Sequence, residues 1–360
     1  MNLKPDVRAI ASEFQIAGEF ASAEPFGSGH INDTWRVVFA AGGTHSRYIL
    51  QRLNHAVFPN PLTVMENLQR VTAHLAQKFA GQPDAARRAL TLVPARDGKI
   101  FHRDAAGNFW RVFPFIANTR TVDVIETPAQ AFAAAQAFGQ FQKLLADLPA
   151  PRLHETIPDF HHTPKRFASL EKAIAADTSN RAAAAKPEIE FALHHRAICG
   201  VLLDANLPER VTHNDTKINN VLLDAATGEG ICVIDLDTVM PGLALYDFGD
   251  MVRSMTNPAA ENERDLTKVE MQFPVFEALL RGYLAAADFL TPAEKNLLPV
   301  SGAVIAFELG LRFLTDFLNG DVYFKTRHAG ENLDRCRAQF KLFESIRRQE
   351  SAMSKLVQTV

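Results

Sequence analysis

The sequence predicts an α+β protein in two unequal parts: a small, mostly antiparallel sheet with one long helix over residues 1–116, then a larger helical part over residues 117–360. Three observations carry this reading. Strand-like runs and glycine turns crowd the first third, a single periodic helix interrupts them, and past Ile116 the composition turns alanine-rich with helical spacing. At roughly 150 residues per domain, a 360-residue chain accommodates two such parts.

The elements follow in order. Val7, Ile10, Ala11 and Phe14 recur at helical spacing, so a helix from Pro5 to about Ile16 opens the chain. A glycine turn, Phe26-Gly27-Ser28-Gly29-His30, leads into a hairpin whose strands, 31–39 and 48–53, flank the Gly42-Gly43 turn. Leu62, Met65, Leu68, Val71, Leu75 and Phe79 place one long helix over 61–79. Residues 90–94 and 99–102, joined through Asp97-Gly98, and residues 108–116 read as further strands. Thr127-Pro128 signals the start of a helix running to Leu148, because threonine caps and proline is tolerated at the first helical position. A Pro/His-rich connector spans 149–164, and helices fill about 164–205. Short strands at 210–212, 220–224 and 230–235 precede a helical remainder.

Composition narrows the function. A net charge of -3 with 47% hydrophobic and 22% charged residues describes an ordinary globular chain, and the absence of a basic cluster argues against a nucleic-acid partner. Cys199, Cys232 and Cys336 show no C-x-x-C spacing, so neither a zinc site nor a disulfide framework is expected, and a reducing cytoplasm is the expected location. The N-terminus lacks the apolar core of a signal peptide, and the longest apolar run, 300–314, is broken by Glu308 and Arg312, so no membrane association is expected. The 26 Phe against 4 Tyr and 2 Trp favour apolar core packing.

Chemistry concentrates in His213-Asn214-Asp215-Thr216-Lys217-Ile218-Asn219-Asn220, followed by Ile234-Asp235-Leu236-Asp237 and by Asp247-Phe248-Gly249-Asp250. The spacing His-x-Asp-x-Lys-x-x-Asn, then a hairpin, then apolar-apolar-Asp matches the catalytic loop and metal-binding aspartate of the kinase fold. Phosphoryl transfer needs a carboxylate to orient the hydroxyl and take its proton, the role assigned to Asp215. It also needs hard oxygen ligands for Mg2+, a role that Asn220 and Asp235 fit. Lys217 places a compact cation where charge develops on the phosphoryl group, and His213 braces the loop. Asp237 either joins the metal shell or caps a turn, and Asp247 could be a helix cap.

The N-terminal signals are sparser. Gly27-x-Gly29 could admit the ATP phosphates, but Asn32 replaces the third glycine of the usual pattern. Where the kinase pattern wants a strand lysine, this chain has Gln51, with Arg52 on the opposite face, so either Lys217 or Arg52 carries more of the phosphate charge or nucleotide binding is weak. Glu66, the usual partner of that lysine, reads as a solvated helix residue. Residues 114–117 form the expected hinge between lobes, with Phe115 taken as a nucleotide contact. Asp235 and Asp247 lie too close for a peptide-binding activation segment, which implies a small-molecule acceptor. Arg312 could serve that acceptor or pair with Glu308 four residues before it.

These motifs, with Tyr48-Ile49-Leu50-Gln51, Trp110-Arg111-Val112, Met240-Pro241-Gly242 and Gly320-Asp321-Val322-Tyr323-Phe324, resemble the aminoglycoside phosphotransferase and choline kinase superfamily, and within it the N-acetylhexosamine 1-kinases. The resemblance implies a bilobal protein-kinase-like fold, ATP and Mg2+ as cofactors, and transfer of the γ-phosphate to the anomeric hydroxyl of N-acetylglucosamine or N-acetylgalactosamine. It implies Asp215 as base, Asn220 and Asp235 on magnesium, and His30, Arg312 and Tyr323 on the sugar, with Asn32 beside them. Ser254 departs from the aromatic found at that place in the subfamily.

Overall fold

The structure is a computed structural model and describes residues 5–27 and 31–360. The N-terminal part holds α1 (Val7–Ser12), β1 (Glu19–Pro25), β2 (Asp33–Ala41), β3 (Thr44–Arg52), α2 (Pro61–Phe79), α3 (Ala85–Arg88), β4 (His102–Arg103) and β5 (Phe109–Pro114). The remainder holds β6 (Thr119–Arg120), α4 (Pro128–Leu145), α5 (Thr163–Ala176), α6 (Lys186–His194), β7 (Arg210–Thr212), β8 (Val221–Asp224), β9 (Gly230–Val233) and β10 (Met240–Gly242). It closes with α7 (Ala244–Met255), α8 (Phe273–Ala286), α9 (Pro292–Leu318) and α10 (Glu331–Val357).

The N-terminal strands form an antiparallel sheet in the order β1-β2-β3-β5-β4, whose register sets Gln51 between Thr34 and Arg111. Its own small core gathers Phe14, Val37, Phe39, Leu50, Trp110 and Val112. The first helix is shorter than its periodicity predicts, because Phe14 leaves it to bridge Ala95. Residues 90–94 form no strand, although the Val93 amide still donates to the Val112 carbonyl at 2.9 Å. Strand β1 was not expected, since only Phe20 of its seven residues is even partly buried and the alternation signal is missing.

Helix α2 occupies the predicted span, with Met65, Leu68, Val71 and Leu75 buried. Those four belong to the large core shared with Phe138 and Phe141 of α4, not to the sheet's own cluster. Helix α4 begins on a full capping box between Thr127 and Gln130. Helix α9 is long and apolar enough to cross a membrane by length and composition, but 83% of that window is buried inside the protein, against α5, α7 and α10. Its crossing with α7 is tight. A Cβ at Gly249 would stand 2.6 Å from the Ser301 carbonyl oxygen, so only glycine lets these backbones approach.

Candidate active site

Strand β7 delivers the chain into the 213–217 loop, and α7 holds that loop from beneath. The buried Asp247 carboxylate accepts the amides of His213 (2.9 Å) and Asn214 (2.7 Å), so it is a brace for the loop and not merely a cap of its own helix. One turn on, Asp250 accepts the Thr216 amide at 2.7 Å and is itself gripped by Arg253. Asn214 sits at φ 65°, a left-handed conformation that asparagine tolerates, and its side-chain amide donates to the Thr238 carbonyl at 2.9 Å. His213 donates from Nε2 to the Ile234 carbonyl at 2.9 Å and accepts the Asp215 amide at Nδ1, with Phe138 and Phe141 packed on its ring. The bracing role expected of it is what the geometry provides.

Asp215, Lys217, Asn220 and Asp235 come together at this loop. Lys217 Nζ lies 3.1 Å from Asp215 Oδ2, and Asn220 Nδ2 donates to the Asp215 carbonyl (2.8 Å) and carboxylate (3.2 Å). Burial pushes the Asp215 carboxyl up, but the Lys217 charge and hydrogen bond outweigh it and hold it below its ordinary value. The Asp215 charge in turn raises Lys217 above its ordinary value, against the opposing effect of burial. The Ile234 amide donates to the Asn220 carbonyl at 2.9 Å, joining β9 to the loop and setting Asp235 beside it at φ 60°.

Burial, then the neighbouring Asp237 and Asp215 charges, push the Asp235 carboxyl up to about 6. No described donor hydrogen-bonds its carboxylate. A crowded carboxylate lacking a donor, beside an asparagine whose NH2 is turned to Asp215, is the hard-oxygen chemistry that Mg2+ takes. The residues fit the ion.

On the sheet side the structure removes Arg52, one of the two expected cations, and leaves Lys217. Arg52 lies on the outer face, donating from Nε to Asp33 at 2.9 Å, and reaches no part of the loop. Arg111, assigned no role from sequence, enters instead. It donates to Gln51 Oε1 from Nε (3.0 Å) and Nη2 (2.8 Å), and forks onto Asp237, with Nη2 to Oδ2 at 2.9 Å and Nη1 to Oδ1. Gln51 also donates to Thr34 Oγ1 at 3.2 Å, so both ends of its amide are held by protein. Asn32, expected on the substrate, donates to Asp237 Oδ2 at 2.7 Å and accepts the Asn54 amide at 3.0 Å. Asp237 is thus the receiver of an arginine fork and not a turn cap. Glu66 faces outward to His154. Gly27 takes φ 84° in open space, so its glycine serves the turn, while Gly29 and His30 lie outside the described residues. Phe26 packs edge-on against Phe115 at 5.9 Å, and Arg47 covers the other ring at 4.5 Å.

On the remaining side, Arg312 does not pair with Glu308. The Glu308 carboxylate is taken by His161 Nδ1 (2.8 Å) and Thr163 Oγ1 (2.7 Å), both buried contacts that sequence spacing did not suggest. The Arg312 guanidinium lies over the Phe160 and Phe324 rings at 5.1 and 5.5 Å, with no carboxylate partner among the described residues. Tyr323 is 54% exposed beside Phe324. Its loop is fixed by buried Asp316, which accepts the amides of Val322 (3.0 Å), Tyr323 (2.8 Å) and Phe324 (2.9 Å) and the Asn332 side chain.

Residues 22–289 match the phosphotransferase enzyme family, APH. Solved structures share the architecture over nearly the whole chain. The microcompartment-associated aminopropanol kinase is 16% identical over 96% of this chain and 97% of its own, with a TM-score of 0.58. An aminoglycoside phosphotransferase from Alicyclobacillus acidocaldarius is 12% identical over 100% and 98%, with a TM-score of 0.60. The choline kinase from Cryptosporidium parvum is 14% identical over 92% and 91%, with a TM-score of 0.53. At such identities the likeness is one of fold: an antiparallel sheet joined to a helical part. On the family match, which takes in the sheet, the 213–220 loop and Asp235, the chain belongs to the APH phosphotransferase family.

Proposed function

We propose that the protein transfers the γ-phosphate of ATP to the anomeric C1 hydroxyl of an N-acetylhexosamine, N-acetylglucosamine or N-acetylgalactosamine, giving the sugar 1-phosphate. The observation that carries the acceptor class is Arg312, a guanidinium with no described carboxylate partner, set between Phe160 and Phe324 and near Tyr323, while the acid one turn away is held by His161 and Thr163. A neutral polyol offers lone pairs to a guanidinium and a phenol, whereas an amine would face a cation. The same observation weighs against an amino-alcohol acceptor, although structural neighbours include aminopropanol and choline kinases.

In this reading Asp215 orients the C1 hydroxyl and takes its proton as the bond from O1 to the γ-phosphorus forms. The bond from that phosphorus to the bridging oxygen breaks, and ADP leaves with its electron pair. Lys217, held by Asp215, would offset the charge of the transferring group. Asn220 and Asp235 would hold Mg2+, which neutralises nucleotide phosphates when bound. Phe115 would contact the nucleotide at the interlobe segment, and by the resemblance His30, Arg312 and Tyr323 would contact the sugar.

A screen of ADP formation with N-acetylglucosamine, N-acetylgalactosamine, choline and kanamycin tests the reading, with phosphorus NMR of the product. An anomeric phosphate from either sugar is expected, and Asp215→Asn should lower that turnover by about 100-fold or more. Turnover of choline or kanamycin alone would replace the sugar reading. No ADP above background with any of these acceptors would leave a nucleotide-binding protein.

A further inference from the structure

Among the described residues one charged pair joins the sheet to the Asp235 loop. Arg111 belongs to β5, and Asp237 lies 126 residues later, two positions past Asp235. Both side chains are 3% exposed. The Arg111 fork is bound on both sides, to Gln51 Oε1 and to both oxygens of Asp237, and Asn32 adds a donor from the loop preceding β2. Asp237 in turn belongs to the turn over Leu236–Thr238 that begins at Asp235, and the carbonyl of Asp237 accepts the Thr156 hydroxyl at 2.9 Å. Around Asp235 the carboxylates of Asp215 and Asp237 face the cations of Lys217 and Arg111.

We propose that Arg111 is a positioning residue for the metal loop: through Asp237 it fixes the turn that presents Asp235, and it supplies the sheet-lobe cation that Gln51 cannot. Because its fork is occupied by protein, Arg111 acts through Asp237 and not as a direct phosphate ligand. Gln51 is the spacer that aims it: its carbonyl receives Arg111 where a lysine at that strand position would repel it. The inference rests on the nucleotide reading of this site.

The test is equilibrium binding of ADP with Mg2+ and with EDTA, run on the wild-type chain and on Arg111→Lys, Arg111→Met and the double variant R111M/D237L. The single Met variant leaves Asp237 buried without its cation and risks unfolding. The double variant removes both charges together, a replacement buried pairs often tolerate, and thermal melting checks that it folds. The expected result is Mg2+-dependent ADP affinity weakened by about 10–100-fold in the double variant, the range seen when groups orienting metal ligands are removed. Affinity in EDTA should change by less than about threefold, and Arg111→Lys, which keeps the charge without the fork, should fall between. A folded double variant that binds ADP with Mg2+ as tightly as wild type would overturn the inference while leaving the nucleotide reading intact. Wild-type protein that fails to bind ADP with Mg2+ would defeat that reading, and this inference with it.

Discussion

His161 Nδ1 lies 2.8 Å from Glu308 Oε1 in a buried pair, and the same imidazole reaches through Nε2 to the Asn214 carbonyl at 3.1 Å. With an acceptor at each nitrogen, the ring suits the doubly protonated form. Burial opposes that charge, but Glu308 and Asp250 outweigh it and raise His161 above 6.5, while Glu308 is held below 4.5 because His161 and Thr163 overcome its own burial. A raised histidine contributes stability that is complete below 6.5 and lost as the pH climbs through its folded value. A depressed glutamate contributes stability above 4.5 that is lost on acidification. Thermal melts of wild type and His161→Gln across about pH 5 to 9 should show the largest gap on the acidic side of neutrality, shrinking as the pH rises. A gap that widens as the pH rises toward 6.5 would mean that the ring is buried neutral, and a gap independent of pH that folding leaves its proton affinity unchanged.

Asp247 holds two successive amides of the 213–217 loop with one carboxylate. Asp247→Asn retains the shape but replaces charge-assisted acceptance with a weaker amide, at a cost of about 1.5–3 kcal/mol in urea unfolding. Because those amides flank Asp215, kcat should fall further than the KM for ATP rises. Equal changes in both would point to general loosening.

Asp316 organises the loop that carries Tyr323 by accepting three consecutive amides. In Asp316→Ala that loop loses its anchor, and the acceptor KM should increase by about tenfold, equivalent to about 1.4 kcal/mol. Steady-state kinetics with ATP varied should leave the ATP KM near wild type. A parallel rise in both constants would contradict a loop serving the acceptor alone.

Gly249 lies on α7 between Asp247 and Asp250, which brace the 213–217 loop. Adding a methyl there meets the α9 backbone, so Gly249→Ala should destabilise the fold by about 1–3 kcal/mol, as overpacking does. Denaturant unfolding measures that loss. Turnover at a temperature where the variant is fully folded should also drop, since α7 cannot shift away from α9 without moving both aspartates.

Helix α2 and strands β7 to β9 were legible in the sequence because their signals are local: an unbroken apolar stripe in one, turn residues at fixed offsets in the others. The Asp215, Lys217, Asn220 and Asp235 constellation was legible for the same reason, since one hairpin holds all four close in the chain. What escaped were the long-range partners. Arg111 is a charge in a strand otherwise buried along Phe109–Phe113, a break in pattern that marks a buried ion without naming its partner. His161 and Glu308 are 147 residues apart, and an i,i+4 rule on α9 points Glu308 toward Arg312 instead. Pairing across such separations is decided by packing, which no spacing rule contains.

The placement of α2 also limits how the molecule can come apart. The helix is covalently part of the first 116 residues, yet Met65, Leu68, Val71 and Leu75 are buried in the core that α4 completes. Severing the chain after Ile116 would leave the sheet with an apolar stripe facing water and would open the other half where α2 had been. The protein can therefore flex between its two halves only about contacts that α2 carries with it, and it should unfold as one cooperative body instead of releasing a free-standing sheet.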